Sequence, residues 1–365
     1  MPAMSGGLLP AIREGVSMLD HFRVVRLGIV LRAREAVRLP PYAGSTLRGA
    51  FGHAFRRVAC PFRQCPPCLV PASCPYTYIF ETPPPPGAPI MGRVNAAPHP
   101  FVFEPPPANE RPYEPGEEIR FGLVLVGRAI EFLPYLAYAL GEMAERGLGK
   151  GRGKADLVEI LDATDAEAPG QRLYDGATRT LLARPSGNGH TPPWLPANAD
   201  AGPCRSGLPP AIRRPQAEPS GLAPAISLGN GRITIRFLTP TRLKFDSHLT
   251  SDLEFHILWR NLLRRLSVLS AFHCGQPLDV DFKASIARAE QVACTDRRIR
   301  WVDWERYSAR QDTTMLLGGF MGEATFAGDL ADFLPALRLG ELVHVGKGTT
   351  FGLGQYRLAL WKVGP

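Results

Sequence analysis

Lysine is scarce in this 365-residue chain: the 42 basic residues include six lysines, and the rest are arginine. Long apolar runs are missing too. No stretch of 18 uncharged apolar residues occurs, which argues against a membrane-spanning helix. Between Met1 and Leu19 no basic segment precedes an apolar core, so no secretory leader is expected. Charged residues are 21% and hydrophobic ones 45%, a balance that excludes a disordered polyampholyte and fits a globular protein. Cysteines number seven, an odd count ill suited to a disulfide framework. The expectation is a reducing cytoplasmic location.

The net charge is +8 and the isoelectric point is near 9.3. Arginine suits phosphate contact and base stacking because its planar fork is bidentate and weakly hydrated. An arginine-favouring genome would give the same bias, so composition alone does not choose. The charge is also local: residues 21–80 hold nine arginines and a single acid, Glu35. Glycine and proline, 37 each, predict long irregular segments. At roughly 100–200 residues per domain, the length suggests two domains.

Hydrophobic patterning repeats one order of elements twice. Residues 22–33 form a strand. After Pro40-Pro41-Tyr42-Ala43-Gly44, a helix opens at Ser45 or Thr46 and runs to about Val58. Residues 118–127 are a strand, 129–146 a helix, and a strand runs through Leu157, Val158 and Ile160 after a glycine-rich turn. In the second half, 232–239 is a strand. A long helix capped at Ser251-Asp252 reaches about Phe272, 314–326 is a kinked strand, and Asp329–Leu337 is a short helix. The loop Gly346–Gly354 and a last strand, Gln355–Trp361, close the chain. One further strand in the irregular middle of each half completes βαββαβ. The predicted class is therefore α+β with tandem ferredoxin-like domains. Domain limits are expected at 1–162 and 226–365, joined by a Pro/Gly-rich connector, 163–225, in which Gln171–Ala183 suits a hairpin.

The loop Gly346-Lys347-Gly348-Thr349-Thr350-Phe351-Gly352-Leu353-Gly354 is not a dinucleotide motif, because a strand follows it where a helix would be required. Two readings stand: a loop whose N–H groups admit a phosphate backbone, or a tight turn with structural glycines. In the helix after Tyr42, Leu47, Ala50, Phe51, Ala54, Phe55 and Val58 make one apolar face. Gly49, Gly52, His53 and Arg56 lie on the other, with Arg57 one turn from His53. Two glycines on an open helix face are costly, about 1 kcal/mol each relative to alanine. Close approach of another backbone would justify them. Beyond this helix, Cys60, Cys65, Cys68 and Cys74 crowd a proline-punctuated segment. Thiolates at such spacing suit a structural zinc, with an iron–sulfur cluster as the rival metal and reduced thiols or disulfides as the alternative.

These motifs together resemble a known family. The terminal G-x-G-x-x-F-G-x-G is similar to the signature loop of the RAMP superfamily of CRISPR-associated proteins. The run PPYAGSTLRGAFGHAFRRVAC, the cysteines ending in Cys74-Pro75-Tyr76, and the segment Leu238–Asp252 resemble a branch of precursor-RNA-processing endoribonucleases. The resemblance implies cleavage within the repeat of a CRISPR transcript, with no metal in catalysis. The ribose 2′-OH attacks the adjacent phosphate to give a 2′,3′-cyclic phosphate and a 5′-OH, and the product guide RNA often stays bound. By the same resemblance His53 is the main catalytic candidate and Tyr42 the second, with Arg56 or Arg57 holding the phosphate. No lysine follows where the family carries one: Ala59 and Cys60 stand there. Arg48, Lys244, Arg260, Arg264, Gly346, Lys347, Gly348, Phe351, Gly352 and Gly354 are the candidate RNA contacts. Arg260 and Arg264 either grip RNA or form a solvated face. Expected partners are CRISPR repeat RNA and other subunits of an effector complex. A non-cutting RNA-binding subunit of such a complex is the alternative, since it would share the glycine loop without needing His53. His273 suits a helix-end dipole partner, and His344 a residue packed under the glycine loop.

Overall fold

The structure, a computed structural model, describes residues 19–60, 73–83, 97–165, 170–185, 231–303, 305–308, 313–316 and 318–360. Two antiparallel sheets dominate it. In the first half the order is β1 (Val24–Ala33), α1 (Gly44–Ala59), β2 (Phe101–Glu104), β3 (Glu118–Val126), α2 (Leu133–Arg146), β4 (Ala155–Asp162), and a hairpin of β5 (Gln171–Asp175) and β6 (Thr180–Leu181). The sheet runs β2-β3-β1-β4-β5-β6. Its first four strands have the ferredoxin-like order. The strand sought in the irregular middle is β2: four buried residues preceded and followed by proline-rich chain. The hairpin of the connector is real and extends this sheet by pairing β5 with β4.

The second half holds β7 (Arg232–Thr241), β8 (Leu243–Phe245), β9 (His248–Thr250), α3 (Phe255–Leu269), α4 (Phe282–Ala289), β10 (Ala293–Val302), β11 (Glu305–Ser308), β12 (Thr313–Leu316), β13 (Gly319–Ala327), α5 (Leu334–Val343) and β14 (Tyr356–Leu360). Its main sheet runs β10-β13-β7-β14, the same order again. Several elements differ from expectation. The kinked strand at 314–326 is two strands, β12 and β13, in different sheets. Helix α4 went unpredicted, and the further strand expected in this half is β10, whose place was not read: it is an edge strand that is exposed or half-buried throughout, so no apolar alternation marks it. Helix α3 starts at Phe255 rather than Ser251, because Asp252 pairs with Arg297 of β10 instead of capping.

Two cores follow. In the first half, Leu47, Phe51, Ala54 and Phe55 of α1 pack with Leu136, Leu140 and Met143 of α2 over Leu27, Ile29, Leu123 and Leu125. In the second, Leu258, Leu262 and Leu266 of α3 pack with Leu337 of α5 over Ile233, Ile235 and Phe326. Val24, Val102, Val124 and Val126, on the opposite face of the first sheet, join that second core, so the halves share a dry interface. Among the described residues no helix is long and apolar enough to cross a membrane.

Candidate functional site

Helix α1 sorts its residues by angle, at about 100° per residue. Leu47, Phe51, Ala54 and Phe55 are buried, while Gly49, His53, Arg56 and Arg57 form the exposed stripe. His53 stands on that stripe with no hydrogen bond or ion pair among the described residues. The two arginines differ. Arg57 leans toward Glu142 of α2, with a nitrogen–oxygen separation of 3.6 Å. Among the described residues Arg56 has no carboxylate partner, and it lies over the Tyr76 ring, 5.8 Å from its centroid. Gly49 is open, and an added Cβ would meet nothing within 4 Å. Gly52 departs from the expected open face: it lies against the Phe80 ring.

The first turn of α1 carries no side-chain cap. It is held from the other half of the molecule. The Tyr42 hydroxyl donates to the Phe351 carbonyl oxygen at 2.9 Å, and Gly44 lies so close to that carbonyl that a side chain would run into it. Burial pushes the Tyr42 phenol well above its ordinary range, so Tyr42 is not set to supply a proton at neutral pH. That hydroxyl bond ties the start of the helix to the loop.

The glycines of the loop take up turn conformations. Gly346, Gly348, Gly352 and Gly354 all have positive φ, from +73° to +90°. Gly354 abuts the Val345 carbonyl, and Gly352 lies against Tyr42 and the Phe103 carbonyl. The N–H groups of Lys347, Phe351, Gly352 and Gly354 are taken by protein carbonyls, at 2.8–3.1 Å. Gly352 and Gly354 are buried, whereas Lys347 is exposed and Gly346 and Gly348 are half-buried. Phe351 points inward, with the Arg48 guanidinium 5.1 Å from its centroid.

Arg48 is half-buried. It lies among Phe351, Phe80 and Phe101, and its Nη2 donates to His99 Nε2 at 3.3 Å. The other nitrogen of His99 bonds the Thr82 hydroxyl at 3.0 Å. Burial, then the neighbouring Arg48 charge, lowers the His99 pKa to about 4, which keeps the ring neutral and able to accept. His273 is no dipole partner but a buried tie between the halves. Tyr78 donates to its Nδ1 at 2.9 Å, and its Nε2–H donates to the Pro98 carbonyl at 2.7 Å. Burial lowers its pKa to about 4. His344 is buried beneath the glycine loop as expected, bonding the Leu353 carbonyl at 3.2 Å and approaching Glu104 at 3.5 Å.

Outside the loop, Lys347 is exposed and forms one patch with Arg242, Lys244 and Arg264. Sequence reading missed Phe245, Asp246 and Ser247. They line a groove of about 350 Å³ together with Lys244, Arg260 and Arg264. The available signal was the short alternating run Lys244–His248 with a polar two-residue centre. Of the four cysteines, Cys65 and Cys68 lie outside the described residues. Cys60 is half-buried and Cys74 buried. Among the described residues no three metal-ligating side chains come together, so the zinc expected there gains no support.

Two βαββαβ sheets in tandem, with a terminal glycine loop that reaches back onto the first helix, define a tandem ferredoxin-like α+β protein. Residues 235–356 match the family model described as CRISPR-associated endoribonuclease Cas6. Residues 22–186 match a family described as an N-terminal domain. A solved Cas6 product complex is similar in fold, with a TM-score of 0.50 at 17% identity over 92% of this chain and 99% of that one. The Cas6 of Thermus thermophilus gives 0.49 at 14% identity, covering 93% and 99%. An uncharacterised Archaeoglobus fulgidus protein is 28% identical over 142 residues, 38% of this chain. The match spans 45% of that relative's length.

Proposed function

We propose that the protein cleaves CRISPR precursor RNA within its repeats by metal-independent transesterification and keeps the guide product. The observation that carries this reading is His53: an unpartnered imidazole on the open stripe of α1, flanked by the unobstructed Gly49 and the carboxylate-free Arg56. The endoribonuclease family match over residues 235–356 supports the reaction class.

Imidazole titrates near neutrality and serves as a general base. His53 takes the proton of the ribose 2′-OH as that oxygen bonds the adjacent phosphorus. The P–O5′ bond breaks, the leaving oxygen takes a proton from water, and the resulting hydroxide is neutralised by the proton that His53 carries; among the described residues the α1 stripe holds no second imidazole or carboxylate. The products are a 2′,3′-cyclic phosphate and a 5′-OH. Arg56 stabilises the charge that builds on the phosphoryl oxygens. Tyr42 fixes the helix start against the glycine loop. The basic patch at Arg242, Lys244, Arg264 and Lys347 binds RNA and favours slow product release.

The test is incubation with repeat RNA in EDTA, followed by analysis of the product ends. Cyclic phosphate and 5′-OH ends are expected. His53→Ala lowers single-turnover cleavage by roughly 10²–10⁴-fold while RNA affinity holds. A requirement for added magnesium, or full cleavage by His53→Ala, overturns the mechanism. Absence of cleavage by the unaltered protein supports a non-catalytic RNA-binding subunit instead.

A further inference from the structure

The groove between the β8–β9 hairpin and α3 lies on a different element from the α1 stripe. Its volume, about 350 Å³, is at the lower end of small-ligand sites, which run ~300–1,000 Å³. That is on the scale of one nucleotide. Its cations are crowded and unpaired: among the described residues Lys244, Arg264 and Lys347 have no ion-pair partner. The Lys347 ammonium is pushed below its ordinary range by partial burial and by the Lys244, Arg242 and Arg264 charges. The Lys347 N–H donates to the Arg242 carbonyl at 3.0 Å, which anchors that lysine beside the hairpin. The Arg242 Nε is buried without a hydrogen-bond partner.

Arg260 differs from its neighbours. It is paired with Glu290 at 2.9 Å and lies 5.9 Å from the Phe245 centroid, so it steadies the ring rather than awaiting a phosphate. His256 meets the same ring edge-on, with centroids 5.5 Å apart. At the hairpin tip, Asp246 and Ser247 have φ of +47° and +70°. Positive φ at both central residues is what a two-residue hairpin turn requires, and Phe245 pairs with His248 across it. The turn brings one carboxylate and one hydroxyl into a groove otherwise lined by cations and an aromatic ring.

We propose that this groove is a subsite for a single unpaired guanosine nucleotide of the RNA, separate from the cleavage centre. Its phosphate lies on Lys244, Arg264 and Lys347, and its base rests against Phe245. Asp246, which only accepts when ionised, takes the adjacent N1–H and N2–H donors of the guanine edge. The inference rests on RNA being the ligand of this chain.

The experiment uses the full chain in a His53→Ala background, so that nothing is cut. Fluorescence anisotropy follows a labelled uridine octamer, the same octamer with one central guanosine, and a 12-base-pair RNA duplex, each at several salt concentrations. The guanosine octamer is expected to bind about tenfold more tightly than the uridine octamer, and Asp246→Asn to erase that preference. Phe245→Leu weakens single-strand binding about tenfold, as expected for a lost stacking platform, with an unchanged thermal melt. Lys244→Ala with Arg264→Ala lowers the slope of log affinity against log salt by about 1.4. Equal binding of both octamers by the background protein, or a guanosine preference that survives Asp246→Asn, overturns the proposal. Equal losses of duplex and single-strand affinity in Phe245→Leu also overturn it. Failure of the nuclease reading would show separately, as unchanged cleavage when His53 alone is replaced.

Discussion

Helix α1 holds three glycines that the structure places in three different surroundings, and alanine at each separates packing from function. Gly49 faces open space, so Gly49→Ala gains the helix preference without a clash and stabilises the protein by about 1 kcal/mol. That corresponds to a rise of about 2–4 °C in melting temperature. At Gly52 a new Cβ lies 3.1 Å from Phe80, and the small strain on that ring offsets the helix gain, leaving stability near the parent's. At Gly44 the Cβ runs into the Phe351 carbonyl, which is backbone and cannot swing aside. Overpacking of this kind costs about 1–3 kcal/mol, and it also pries the glycine loop from the helix. Thermal denaturation of the three variants gives the order Gly49→Ala, Gly52→Ala, Gly44→Ala from most to least stable. Single-turnover cleavage of repeat RNA supplies the functional half. If the RNA backbone lies along the His53 stripe, the Gly49→Ala methyl group occupies space it needs, and cleavage falls about tenfold or more in the more stable protein. A stabilised Gly49→Ala that cuts at the parental rate refutes the idea that RNA approaches this face. A destabilised one refutes the packing argument itself.

Arg56→Ala should lower single-turnover cleavage by roughly a hundredfold, on the scale of a lost transition-state contact, while Arg57→Ala costs less than a few-fold because Glu142 already engages that side chain; equal losses would contradict the assignment. Tyr42→Phe removes the hydroxyl bond to Phe351 and should destabilise by about 1 kcal/mol, read as a lower denaturation midpoint, with a loosened loop reported by faster hydrogen exchange near residue 351. His273 has a folded pKa of about 4 against an ordinary value of 6.5, so below pH 6.5 the unfolded chain takes up a proton that the native state refuses. Stability is then full above about pH 6.5 and falls as the pH drops toward 4. His99 acts in the same window, its pKa also being about 4. Denaturant midpoints between pH 7 and 4.5 measure the slope, and His273→Gln should flatten it; an unaltered slope would mean that another group is responsible.

The βαββαβ order of each half, the apolar face of α1 and the burial of His344 were all legible in the chain, because each rests on local periodicity or on the place of a residue beside an element. The exposed His53 was legible for the same reason: once Leu47, Phe51, Ala54 and Phe55 set the buried face, the helical period assigns the rest. Strand β10 was not, since an edge strand with little buried surface carries no alternation. Nor were the roles of Tyr42, Arg48 and His273. Each is decided by a partner far along the chain: Phe351 lies 309 residues from Tyr42, and Tyr78 lies 195 from His273. Sequence spacing determines which residues share a face of one element, because backbone geometry is local. Only the packing of the two halves determined which of the cationic and aromatic side chains became fasteners and which were left free for a ligand, because desolvation and pairing depend on what arrives from elsewhere.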